Sequence, residues 1–237
     1  MAQCFNSGGY YSMSSDDLLS SPFFVEDIQG PHSEYWVGRR KVAAAMRELI
    51  EAATITDIPN EDANELSETL LNLAANLRRC PQLKGVLAYA KAHGNLAVAN
   101  HEILCVGGES HPMSPGLKHW VDGNVVRGRV SFNWSYEGPP QHTHGGWVAA
   151  VFDHFMGMAH MRFGKPGMTG GLTIKYLKPT PLEKVIDLSA TAEPIDARKT
   201  RVSASMICEG VTTATAEATF IQPRHMIFTE GNHEVGV

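Results

Sequence analysis

The sequence predicts an α+β domain in which an antiparallel sheet wraps one long central helix, preceded by a helical extension. Three observations predict it. Residues 96 to 221 fall into strand-length segments separated by turn-forming breaks such as Gly107-Gly108, Lys178-Pro179-Thr180-Pro181 and Glu209-Gly210. One run inside that region, His144 to Phe163, is free of proline, nearly all apolar or small, and too long for a strand. Upstream, the apolar residues recur at helical spacing instead. With 237 residues, 43% of them hydrophobic and 19% charged, the chain can bury a real core.

The elements follow in order. Met1 to about Gly30 is rich in Ser, Gly and acidic residues, with Phe23, Phe24 and Val25 as its apolar cluster, and no fold is legible there. Lys41 to Ala53 is dense in helix formers, with Val42, Met46, Leu49 and Ala53 on one face. A second helix takes Asn60 as N-cap, Glu61 and Asp62 in its first turn, Leu66, Leu70, Leu73 and Leu77 as its apolar stripe, and ends at Arg78-Arg79 before Pro81. A short third helix, Leu83 to Ala92, stops at Gly94. These helices either dock a partner or lid, or pack on the main domain. The expected strands are Leu96 to Val106, Asn124 to Trp134, Met168 to Leu177, Val185 to Ala192, Arg201 to Cys208 and Thr212 to Ile221. The helix at His144 to Phe163 is expected to be buried on nearly every side. The domain boundaries expected are an extension at 1–93, the main domain at 94–223 and a tail at 224–237.

Charge and cysteine usage exclude several functions. Twenty Lys+Arg against 25 Asp+Glu give a net charge of -5, so nothing draws nucleic acid or an anionic membrane surface to the chain. The four cysteines Cys4, Cys80, Cys105 and Cys208 are scattered without a C-x-x-C pair, and read as reduced thiols. The first basic residue is Arg39, which lacks the pattern of a secretory or organelle leader, and no apolar run reaches a membrane span; a cytoplasmic protein is expected.

Within the central helix, as far as Met161, Asp153 is the one residue with an obligatory charge, flanked at helical spacing by Gly146, Ala149, Ala150 and Gly157. Burying an unpaired carboxylate costs several kcal/mol. Asp153 is therefore either held by backbone N–H groups or a hydroxyl, or placed at the edge of a cavity or subunit contact. Gly145 and Gly146 open the helix, where first-turn N–H groups lack intrahelical partners and the dipole is positive. They serve either an oxyanion or the tight turn out of Gly138-Pro139-Pro140.

The runs YEGPPQHTHGGWVAAVFDHFMG, MTGGLTIKYLKPTPL, ARKTRVSAS and ATAEATFI together resemble the hotdog-fold acyl-CoA thioesterases, closest to the PaaI-like and thioesterase superfamily member 4-like branch, over about residues 95 to 223. The resemblance implies that Asp153 is nucleophile or general base, that Gly145 offers its N–H to the thioester carbonyl, that Thr169 orients the carboxylate or the water, and that His144 shapes the loop or touches substrate. It leaves Gln141 as a weaker contact, makes Gly146 and Met168 substrate-binding candidates, and implies a homodimer or tetramer with Asp and glycine drawn from opposite subunits. Lys175, Lys178, Arg198, Lys199 and Arg201 are the basic groups for the CoA phosphates, or are solvated surface charges. Phe152, Phe155, Met156, Met158, Met161 and Met168 wall an acyl tunnel or pack the core. The expected function is hydrolysis of medium- to long-chain fatty acyl-CoA with no metal or cofactor. The alternative is a non-catalytic acyl-CoA-binding or partner-docking protein. A metal hydrolase built on His142, His144, Asp153, His154 and His160 lacks the helix-face spacing of a zinc site.

Overall fold

The structure, a computed structural model, is described over residues 10–12, 33–94, 96–163, 167–222 and 227–229. The Phe23 to Val25 cluster, Cys4 and most of the 224–237 tail lie outside the described residues. Along the chain run β1 (Tyr10–Ser12), α1 (Glu34–Ile55), α2 (Asn60–Arg78), α3 (Val86–His93), α4 (Leu96–Ile103), β2 (Lys118–Asp122), β3 (Val125–Ser131), a 3₁₀ turn (Trp134–Tyr136), α5 (Gly145–Phe163), β4 (Met168–Tyr176), β5 (Val185–Pro194), β6 (Lys199–Cys208), β7 (Val211–Ile221) and β8 (Ile227–Thr229). Strands β2 to β7 form one antiparallel sheet in the order β2-β3-β5-β6-β7-β4, and β1 pairs with β8 separately.

The sheet works because its strands alternate. Ile186, Leu188 and Ala190 of β5, Val202, Ala204 and Met206 of β6, and Ala214, Ala216, Ala218 and Phe220 of β7 are buried on one face. Against that face α5 lays Val148, Val151, Phe152, Phe155, Met156 and Ala159, a stripe of helical period. Alanines on β7 and Gly128 on β3 let the helix approach; a Cβ at Gly128 would lie 2.8 Å from the Phe155 ring. Phe152, Phe155 and Met156 thus pack in the core.

Several expectations are corrected. Leu96 to Val106 is not a strand: the alternation Leu96-Ala97-Val98-Ala99 belongs to α4, whose Ala97, Ala99, Asn100 and Glu102 are buried. β2 was not anticipated. The first helix begins earlier, at Glu34, and the cap of α2 is Pro59 instead of Asn60. Most consequentially, α5 is not buried all round. Its face of Gly146, Ala149, Ala150, Asp153 and Gly157 is exposed or half-buried, and Asp153 itself is exposed.

The extension is tied to the sheet domain by polar contacts. Arg40 of α1 pairs with the fully buried Glu102 (Nη2 to Oε1, 2.7 Å), Arg47 donates to the His111 carbonyl (2.9 Å), and Asn133 donates to Glu51 (2.9 Å). Trp36 is buried and donates to the His93 carbonyl at 3.2 Å.

Behind α5, His154 lies near enough to His119 of β2 and His101 of α4 for their charges to couple. Gly107 closes over it, since a Cβ there would lie 2.0 Å from its Nε2. Burial first, then the neighbouring imidazoles, push His119 and His154 down to about 4 from the ordinary 6.5, and burial also lowers His101; Asp153 opposes the shift at His154, and Glu109 opposes it at His119. Between pH 6.5 and about 4 the unfolded chain therefore binds more protons than the folded one, so stability is full above this window and falls as pH drops through it. Urea midpoints measured from pH 7 to pH 4 are expected to decline steeply, and His119→Gln to flatten the decline; equal pH slopes for the variant and the parent would contradict this.

Candidate active site

The sequence-derived candidates fall into two clusters, one at each end of a short span of α5. At the aspartate end, Thr169 Oγ1 donates to Asp153 Oδ1 at 2.8 Å. What aims Thr169 is a bulge. In the register of β4 with β7, Leu172 faces Ala218 and Gly171 faces Thr219, but Thr169 faces Phe220, leaving Gly170 unpaired. Phe220 and Ala218 point into the core, so the extra residue turns Thr169 to the helix side; strict alternation from Leu172 would have pointed it away. Glycine suits the position, because a Cβ at Gly170 would come within 2.5 Å of the Ile221 side chain. A hydrogen bond to a charged group contributes about 1.5–3 kcal/mol. Thr169→Val is therefore expected to reduce turnover roughly 10- to 100-fold, with Thr169→Ser near normal, and deletion of Gly170 to match the Val variant. A fully active deletion would overturn the role of the bulge.

At the glycine end, the loop 137–143 is closed by Gly138 donating to the His142 carbonyl (2.9 Å) and His144 donating to the Tyr136 carbonyl (2.8 Å). A Cβ at Gly138 would lie 2.6 Å from His144 Cα, so only glycine lets the two strands of the loop close. His144 then caps α5 with its side chain. The Gly146 N–H donates to His144 Nδ1 at 2.9 Å, and the His144 carbonyl accepts from Trp147 (2.9 Å) and Val148 (3.3 Å). An Nδ1 that accepts must be unprotonated, so the neutral ring carries its proton on Nε2. Gly145 alone in this first turn has an N–H with no acceptor among the described residues. It is half-buried and stands at the positive end of the helix. Tyr176, which the sequence reading passed over, donates to the Gly145 carbonyl at 2.9 Å and lays its ring 3.5 Å from where a Cβ of residue 145 would be. The period-two run Leu172, Ile174, Tyr176 was the signal that could have placed it on the helix side.

The remaining candidates scatter. Gln141 sits in the loop at φ 66, its backbone N–H on Glu137 Oε1 and its side chain exposed. Met168 is exposed at the start of β4. Lys175 and Lys178 are exposed at the Tyr176 end of β4, while Arg198 and Lys199 lie across β7 from Met168, at the aspartate end. Arg198 already donates to the Gln222 carbonyl from Nε (3.1 Å) and Nη2 (2.8 Å). Among the described residues no three His, Cys, Asp or Glu side chains converge as a metal site requires.

Residues 140–215, which span both clusters, match the model of the thioesterase superfamily. The acyl-coenzyme A thioesterase THEM4 of Xenopus laevis is 38% identical over 63 residues, 27% of this chain and 28% of that protein's length. A thioesterase superfamily protein of known crystal structure superposes with a TM-score of 0.67 at 27% identity, over 78% of this chain and 90% of its own. The PaaI protein of E. coli, from the phenylacetic acid degradation operon, aligns at 14% identity and a TM-score of 0.44, over 47% of this chain and 83% of its own. The resemblance read from the sequence and the hotdog architecture it implied are borne out.

Proposed function

We propose that this chain, which carries a thioesterase-superfamily hotdog domain, is an acyl-CoA thioesterase that hydrolyses medium- to long-chain fatty acyl-CoA to free acid and CoA. The observation that carries the reading is the pairing of an oriented carboxylate, Asp153 held by Thr169, with a free helix-terminal N–H at Gly145. A thioester carbonyl is reactive enough that these two suffice: the carboxylate attacks it or deprotonates the attacking water, and the N–H stabilises the oxyanion.

The two groups cannot serve one carbonyl within one chain. Eight residues of helix separate them by about 12 Å. A homodimer resolves this by setting Asp153 of one copy against Gly145 of the other. Two features support such a contact: β4 is an edge strand with an open ladder, and α5 beside it presents Gly146, Ala149, Ala150 and Gly157, small enough for close approach. The domain so assembled is 94–223, with 1–93 as its extension and 224–237 as a tail. Met158, Met161 and Met168 then supply soft apolar surface for the acyl chain. Lys175 and Lys178, at the glycine end, are the cations best placed for the CoA phosphates. Among the described residues no helix is long and apolar enough to cross a membrane; the setting we propose is cytoplasmic.

The test is release of free CoA thiol from a chain-length series of acyl-CoA substrates. Turnover that rises toward medium and long chains supports the reading, and binding without turnover at every length refutes it.

A further inference from the structure

Helix α2 is amphipathic yet none of its residues is buried. Ala63, Leu66, Leu70, Leu73 and Leu77 follow one another at spacings of three and four, the seam of a two-stranded coiled coil, and Leu66, Leu73 and Leu77 are exposed by 36%, 54% and 51%. A seam of this kind on a helix without a core of its own needs a partner. The neighbouring α1 also exposes apolar residues, Val42, Met46, Leu49 and Ile50, but charge opposes it as the partner. The short connection 56–59 would fold α2 back along α1, bringing Glu61, Asp62, Glu65 and Glu68 against the acidic end of α1 at Glu48 and Glu51.

We propose that α2 pairs with α2 of a second copy of this chain as an antiparallel coiled coil. Charge selects both partner and direction. All four carboxylates of α2 lie in its first half, and Arg78 and Arg79 close its end. Parallel pairing would align the two acidic halves, whereas antiparallel pairing sets each against the other copy's arginines. The register that fills the seam places Leu66 opposite Leu77 and Leu70 opposite Leu73 of the second copy. It brings Arg79 level with Asn64, between Asp62 and Glu65. This contact is separate from the one proposed along β4, so the two together link dimers into a larger assembly, each strengthening the other through effective concentration.

The test is molar mass by light scattering over a concentration series of the full chain. Leu73→Glu/Leu77→Glu is expected to reduce the mass to about half that of the unmodified protein, while acyl-CoA hydrolysis, to which α2 contributes no residue, persists and reports an intact domain. Arg79→Glu is expected to shift association to severalfold higher concentration, and Arg79→Glu with Asp62→Lys and Glu65→Lys to restore it. An unchanged mass in the leucine variant overturns the proposal and means that the stripe is covered by the chain itself or by lipid. A charge-swapped variant that fails to recover overturns the antiparallel arrangement.

Discussion

Asp153→Asn is expected to lower acyl-CoA hydrolysis by about 10²- to 10⁴-fold, the usual contribution of a positioned acid–base group. The substitution isolates the charge. Asn keeps an oxygen that accepts from Thr169 Oγ1, so the geometry of the 2.8 Å contact survives while the negative charge is lost. Because Asp153 is exposed and in no ion pair among the described residues, stability should stay within about 0.5 kcal/mol of the parent. A loss of turnover at constant stability assigns the residue to chemistry. Turnover within a few-fold of the parent would remove Asp153 from the mechanism.

Arg40→Ala carries the largest expected effect on stability. Glu102 is wholly buried and accepts from Arg40 Nε at 3.1 Å and Nη2 at 2.7 Å, and from Ser110 Oγ at 2.6 Å. Removing the guanidinium strands a carboxylate where water cannot reach it, and breaking such a pair costs about 3–5 kcal/mol. Arg129–Asp187 is the control: both side chains are more than half exposed, and Arg129→Ala should cost less than about 1 kcal/mol. Denaturant midpoints of the two variants measure the difference directly. Equal costs would mean that the extension is not anchored through Glu102.

Much of this architecture was legible because pattern and environment agree. Strands β4 to β7 lie where alternation and turn residues place them, and the proline-free run at 145–163 is the helix the sheet packs against. Legibility fails where one pattern serves two environments. Leu96-Ala97-Val98-Ala99 alternates like a strand, but its alanines are equally good helix formers and are buried in α4. Small residues around Asp153 read as apolar, yet Gly146 is exposed and Ala149, Ala150 and Gly157 are only half-buried, because a small side chain is compatible with an unoccupied surface or with a second copy close by. The bulge at Gly170 depends on cross-strand register, which a single strand does not encode; the Gly170-Gly171 pair inside a strand pattern was the one local sign of it.

Mixing two inactive proteins tests the central claim most directly. Gly145→Pro deletes the N–H proposed to hold the oxyanion, at the first helical position, where proline is best tolerated, and Asp153→Asn deletes the charge. If each site draws its carboxylate from one copy and its N–H from the other, co-refolding equal amounts of the two variants rebuilds one complete site per mixed dimer and restores about a quarter of the parent's activity. A mixture as inactive as its components, with exchange of subunits verified, would contradict the account.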